Sequence, residues 1–320
     1  MVATCRTAVN RTRSARNRVF SAMRRSGWTI QPASNRIDAT LAPPHMAALL
    51  TVQVNLSMKR RPNAIVFQCI LLLSICVLVN QRVAVPANAT ESSTIRVAIY
   101  ADAGASRKGS PQVQRCLPAE TGFEITAVTA EEIRGGKLSE FAVLIHPGGS
   151  GSKQAETLGA EGRERVRAFV AEGGGFIGIC AGAYLASANY PWSLDLLDAR
   201  VVDSEHWARG KGEVRLRLPP VGRSALGVDQ EIVAVHYNQG PLLAPGDKET
   251  IADYELLAAF ETEIAENGAP AGVMKGTTAI ARGTFGNGRV VCFSPHPEKT
   301  PGLDSFVRDA VRWAARGHRN

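Results

Sequence analysis

The stretch Gly173-Gly174-Gly175-Phe176-Ile177-Gly178-Ile179-Cys180-Ala181-Gly182-Ala183-Tyr184 decides the fold. Phe176 to Ile179 has no polar break, the pattern of a strand buried on both faces of a parallel sheet. It runs straight into Cys180, and small residues then open a helix. Strand, nucleophile and helix joined in this way make a G-x-nucleophile-x-G elbow, with Cys in the place of Ser. The turn strains the backbone at the nucleophile, and the flanking glycines leave room for it. Cys180 then stands at a helix N-terminus, whose dipole favours the reactive thiolate. The amide of Ala181 opens on the same space as an oxyanion donor.

Working outward, the alternation of strand and helix continues. Ile95 to Tyr100, Phe123 to Val128 and Phe141 to Ile145 read as strands, with a short helix around Val113 and Leu117. Glu161 to Glu172 is an amphipathic helix that Gly173-Gly174-Gly175 stops. The second half is richer in strand: Val214 to Leu218, Ile232 to His236 and Leu256 to Glu261 are candidates. Thr277 to Phe285 and Arg289 to Phe293 flank Gly286-Asn287-Gly288 as a late hairpin. Leu303 to Ala315 closes the pattern as an amphipathic helix. The expected class is α/β, with a mainly parallel sheet flanked by helices. Residues 90–320 read as one domain.

A thiolate needs a proton shuttle, and Ser294-Pro295-His296-Pro297-Glu298 supplies one. His296 follows an apolar strand, at the sheet edge where α/β folds place their sites. Glu298, two residues on, is positioned to hold the imidazole tautomer as the third member of a Cys-His-Glu triad. In His146-Pro147-Gly148-Gly149-Ser150-Gly151 the glycines let backbone amides face a developing oxyanion, and Gly149 and Ser150 are the candidates for a second donor. His146 reads as a strand-end structural histidine, and His206 and His236 as loop or pocket-wall residues. No spacing of ligands suggests a metal site, and no cofactor is expected. Gly173-x-Gly175-x-x-Gly178 matches a dinucleotide fingerprint by letter only, because it precedes a strand instead of opening a helix. Cys116 and Cys292 read as buried free thiols.

The order of Gly-Gly loop, G-x-C-x-G elbow and Pro-His-Pro-Glu resembles the class I glutamine amidotransferase superfamily. Gly173 to Tyr184, with Tyr237-Asn238-Gln239-Gly240-Pro241 downstream, is most similar to the amidotransferase-like N-terminal domain of biotin–protein ligases. The resemblance covers about residues 95–316. It implies a flavodoxin-like fold, with Cys180, His296 and Glu298 on the triad positions. It also brings Tyr184, Tyr237 and Asn238 to the substrate pocket. Glutamine-hydrolysing members usually carry Gln where this chain has Tyr184, which argues against glutaminase activity. The biotin-transferring domain does not follow in this sequence, so biotin ligation is not expected.

The net charge of +8 and pI near 9.4 invite a nucleic-acid reading, but position decides against it. Residues 1–57 carry eight Arg and one acid, and residues 58–89 carry four basic residues and no acid. Beyond position 89 there are 25 basic and 28 acidic residues, a net −3. Met58-Lys59-Arg60-Arg61, the uncharged run Ala64 to Val79 and Ala87-Asn88-Ala89 form the three parts of a signal peptide. Residues 1–57 then read as a miscalled start, with an Arg-rich transit peptide as the rival. The expected product is exported after cleavage near Ala89, its one membrane association being that signal; the alternative is an anchor formed by an uncleaved 64–79 segment. The expected partner is a small-molecule or peptide-like carbonyl substrate, and no nucleic acid. Two activities fit: a Cys-His-Glu thiol hydrolase or acyl-transfer enzyme, and a non-catalytic binding module that keeps the fold.

Overall fold

The computed structural model describes residues 94–317. The Arg-rich stretch 1–57, the signal-like stretch 58–89 and residues 318–320 lie outside the described residues. Strands and helices alternate through the first half: β1 (Ile95–Tyr100), α1 (Gly109–Cys116), β2 (Phe123–Val128), α2 (Ala130–Arg134), β3 (Val143–His146), α3 (Gly151–Ala171), β4 (Gly175–Ile179), α4 (Ala181–Ala186) and β5 (Ala199–Val202). The second half is mostly strand: β6 (Lys211–Arg217), α5 (Pro220–Leu226), β7 (Ile232–Asn238), β8 (Leu242–Pro245), β9 (Glu255–Phe260), β10 (Thr278–Phe285), β11 (Gly288–Phe293) and α6 (Asp304–Ala315).

One sheet holds all these strands, in the order β2-β1-β3-β4-β11-β10-β9-β6-β7, with β8 pairing β10 and β5. The block β2-β1-β3-β4-β11 is parallel. From the β10–β11 hairpin outward, pairing is antiparallel. The architecture is α/β with a mainly parallel block, as the sequence pattern suggests, and that block is flavodoxin-like, as the resemblance implies. Successive residues of β1 enter opposite cores, as strand geometry requires. Val97 and Ile99 pack on the side of α1 and α6, while Ala98 and Tyr100 pack on the side of α2, α3 and α4. Every residue of β4 is buried, because β3 and β11 flank it and helices cover both faces.

Two local features differ from the sequence pattern. Helix α3 begins at Gly151, ten residues before the amphipathic stretch, and breaks at Gly159 (φ 67°, ψ −178°). Its first turns carry Gly151 and Ser152, which blur the periodicity, but the Ser150 side chain caps the Lys153 amide. Helix α2 is only five residues long, yet Thr129 and Glu132 form a reciprocal capping box. That box satisfies two of the amide donors that a short helix otherwise leaves exposed.

Candidate active site

β3, β4 and β11 are parallel neighbours, so their C-terminal ends meet at one edge of the sheet. Each end carries one part of the site. β4 runs into Cys180, β3 into the loop Pro147 to Ser150, and β11 into Ser294-Pro295-His296. The Cys180 amide donates to the Phe293 carbonyl at 2.7 Å, tying the first of these ends to the third.

Cys180 has φ 52° and ψ −98°, a conformation costly for a residue with a side chain. Its surroundings hold it there. Gly178 has no space for a β-carbon because the backbone of Gly182 passes over it, and Gly182 has none because the His146 carbonyl lies against it. The two glycines of the elbow are therefore dictated by backbone crossing backbone. The thiol is buried and donates to the Asn238 carbonyl at 3.4 Å. The Ala181 amide, first in its helix, makes no backbone hydrogen bond among the described residues.

His296 and Glu298 are both buried, and His296 Nδ1 lies 2.7 Å from Glu298 Oε1. Their backbone is pinned: the His296 amide donates to the His236 carbonyl at 2.8 Å, and Arg115 Nη2 donates to the Glu298 carbonyl at 2.6 Å. His296 Nε2 is buried with no hydrogen-bond partner. Burial, the largest influence on this ring, opposes its protonation. The neighbouring Cys180 and Glu298 outweigh burial and raise the pKa to about 9. A β-carbon on Gly148 would sit 2.9 Å from His296 Cε1 and 3.7 Å from Cys180 Cβ, so the ring and the thiol share one glycine-lined corner.

Of the two amides expected to supply the second oxyanion donor, Ser150 is a correction. Its N–H donates to the Gly104 carbonyl at 2.8 Å and its hydroxyl caps α3, so neither is available. The Gly149 N–H makes no hydrogen bond among the described residues. Gly149 has φ 143° and presses on the Gly104 carbonyl, which excludes any side chain there.

A cavity of about 470 Å³ opens over this corner, lined by Cys180, His296, Gly149 and residues of four loops. Tyr184 and Asn238 line it. Tyr237 does not, and this too is a correction: its ring is fully buried against Phe260, and its hydroxyl donates to the Gly240 carbonyl at 2.8 Å. Tyr237 instead fixes the turn that follows β7. There three successive carbonyls, of Asn238, Gln239 and Gly240, accept from Cys180, Tyr184 and Tyr237. His146 packs between the rings of Tyr100 and Phe176, with Nδ1 2.8 Å from Gln154 Oε1. Burial dominates there and lowers its pKa to about 4. His146 is thus a neutral packing residue, as the sequence reading has it.

Several lining residues escaped sequence reasoning. Tyr190 and Trp192 stack with centroids 4.6 Å apart, and Trp207 and Lys299 also line the cavity. The available signal was Tyr190-Pro191-Trp192, an aromatic loop just after the elbow helix in a chain with only 6% aromatic residues. Among the described residues no group of His, Cys, Asp or Glu is arranged to hold a metal ion, and no helix is long and apolar enough to cross a membrane. Cys116 and Cys292 are buried and unpaired.

No curated protein matches the chain. Solved structures that resemble it include a thua-like protein from Parabacteroides merdae, 12% identical, with a TM-score of 0.47, over 70% of this chain and 91% of that one. A cytoplasmic protein from Salmonella typhimurium is 13% identical, with a TM-score of 0.45, over 69% and 98%. A glutamine amidotransferase from Thermotoga maritima is 14% identical, with a TM-score of 0.40, over 64% and 76%. Residues 95–208 match the family described as biotin-protein ligase, N terminal. That match spans β1 to β5 and the Cys180 elbow and stops before His296. Over those residues the chain is similar to the biotin-protein ligase N-terminal family.

Proposed function

We propose that this chain is an exported thiol hydrolase or acyl-transfer enzyme acting on an amide or related carbonyl. The observation that carries the proposal is the strained elbow cysteine sharing a cavity corner with an imidazole hydrogen-bonded to a buried carboxylate. Cys180 Sγ bonds to the carbonyl carbon while its proton resides on His296 Nε2. The carbonyl electrons move onto oxygen, where the amides of Ala181 and Gly149 receive the charge. Losing one such donor typically costs roughly 10²–10³ in rate. Collapse of the tetrahedral species breaks the bond to the amine or alcohol, which leaves with the proton from Nε2. Water or another acceptor then attacks the thioester, with the ring as base, and the thiol is restored. Glu298 holds Nδ1–H throughout, so that Nε2 is the nitrogen that exchanges protons.

One observation favours the second reading, a binding module without chemistry. The thiol proton points to the Asn238 carbonyl, while Nε2 is left without a partner. The two readings separate on thiol reactivity. The enzyme reading expects Cys180 to alkylate at pH 6 much faster than free cysteine, with labelling abolished in Cys180→Ala. A thiol no faster than free cysteine at that pH supports the binding module. Export is tested separately, by sequencing the N-terminus of the native protein. A start near Thr90 supports it, and a chain that retains Arg6 to Arg36 overturns it.

A further inference from the structure

The wall facing Cys180 combines features that the chemistry above does not use. Tyr190 and Trp192 present a stacked aromatic pair, 4.6 Å between centroids and 15° from parallel. Trp207 lines the same cavity and is 55% exposed, the one large apolar side chain so placed among the described residues. Exposing a tryptophan on the rim of a cavity leaves apolar area in water that a ligand can cover.

Charge in the cavity is one-sided. Lys299 lines it, three residues after His296 on the same turn. Lys137, Lys153 and Lys248 each hold a carboxylate, whereas Lys299 makes no ion pair among the described residues. No Asp or Glu lines the cavity among those residues. A lysine with no carboxylate in the cavity lining biases the potential there toward anions and raises their local concentration.

Resting on the hydrolase reading, we infer that the substrate of Cys180 is an anionic amide or ester with a flat ring, the ring packing against Tyr190, Trp192 and Trp207 and the anion facing Lys299. This names a substrate class and two specificity-determining residues, Trp207 and Lys299, neither of which takes part in bond making.

Three alkylating reagents that each form a sulfur–methylene bond and release iodide test it on the full-length chain. They are iodoacetamide, 2-iodo-N-phenylacetamide, and 4-(2-iodoacetamido)benzoate, which adds a carboxylate to the ring. Labelling rates of Cys180 at fixed pH are divided by those of free cysteine. The expected order is benzoate over phenyl over parent, with the benzoate favoured at least tenfold over the parent. Lys299→Gln removes the advantage of benzoate over phenyl. Trp207→Ala, at an exposed position that should leave folding intact, reduces the advantage of phenyl over parent. A reactive Cys180 that follows the free-cysteine order overturns this inference alone. A Cys180 inert to all three overturns it together with the hydrolase reading.

Discussion

Two histidines sit at neighbouring strand ends and behave as opposites. His146 ends β3 and His296 follows β11, on either side of the β4 elbow, and both are buried. Each uses Nδ1 on a side-chain oxygen at nearly the same distance, 2.8 Å to Gln154 and 2.7 Å to Glu298. Burial pushes both toward the neutral form. For His146 it wins and the pKa falls to about 4, because a carboxamide cannot repay the loss of hydration. For His296 a carboxylate and a thiol reverse the outcome, and the pKa rises to about 9. A carboxylate in place of a carboxamide, with a thiol beside the ring, separates a candidate base from a packing residue.

The comparison breaks most sharply at Glu298. Glu298→Gln gives His296 the kind of partner His146 has. Its imidazole midpoint, followed by NMR, should drop below its value of about 9, with Cys180 still beside the ring. Any Cys180-dependent hydrolysis should fall roughly 10²–10⁴-fold with it. An unmoved midpoint would show that the carboxylate is not what holds the proton.

Next in size is the effect of pH on stability. His146 has a folded pKa below its unfolded value. Its contribution is therefore complete above about pH 6.5 and is lost as pH falls toward 4, on the order of 3 kcal/mol in all. His296 has a folded pKa above its unfolded value. Its contribution is complete below about pH 6.5 and is lost as pH rises through 9. Thermal melts should therefore weaken on both sides of neutrality. In Glu298→Gln the alkaline arm should flatten while the acid arm stays. An alkaline arm that is unchanged in that variant would remove His296 as its cause.

The reciprocal substitution, Gln154→Glu, should raise the His146 midpoint above its value of about 4 while leaving Cys180 alkylation within about twofold. A large loss of alkylation would mean that His146 shares in the chemistry. The smallest effect is geometric. Gly148→Ala places a methyl 2.9 Å from His296 Cε1 and should slow Cys180-dependent turnover by about tenfold with little change in melting temperature. Turnover at the wild-type rate would mean that the ring can give way without leaving the thiol.

Most of the parallel block was legible because its strands are short apolar runs between glycine-rich turns, and those signals are local. The elbow was legible for the same reason: Gly178, Cys180 and Gly182 lie within five residues. What stayed hidden depends on partners distant in sequence. β5 and β8 have apolar runs too short to stand out; they pair with each other, and β8 joins them to the sheet through β10. Ser150 looked like an oxyanion donor because nothing near it in sequence reveals that Gly104 takes its amide. Tyr237 looked like a pocket residue because its neighbour Asn238 is one, and strand alternation turns successive side chains to opposite faces. Arg115, which anchors the Glu298 carbonyl, lies more than 180 residues from it.

The place of β11 bears on how the molecule comes together. It is the last strand in the chain, yet it lies mid-sheet, between β4 and β10. The parallel and antiparallel halves have no direct strand pairing across that position except through it. Until it docks, β4 lacks a neighbour on one side, and Cys180 lacks the Phe293 carbonyl that holds its amide. Contacts of such long sequence separation form late and slowly. The thiol and the imidazole therefore come into register only as the sheet closes, and the nascent chain carries an unpaired cysteine with no base beside it.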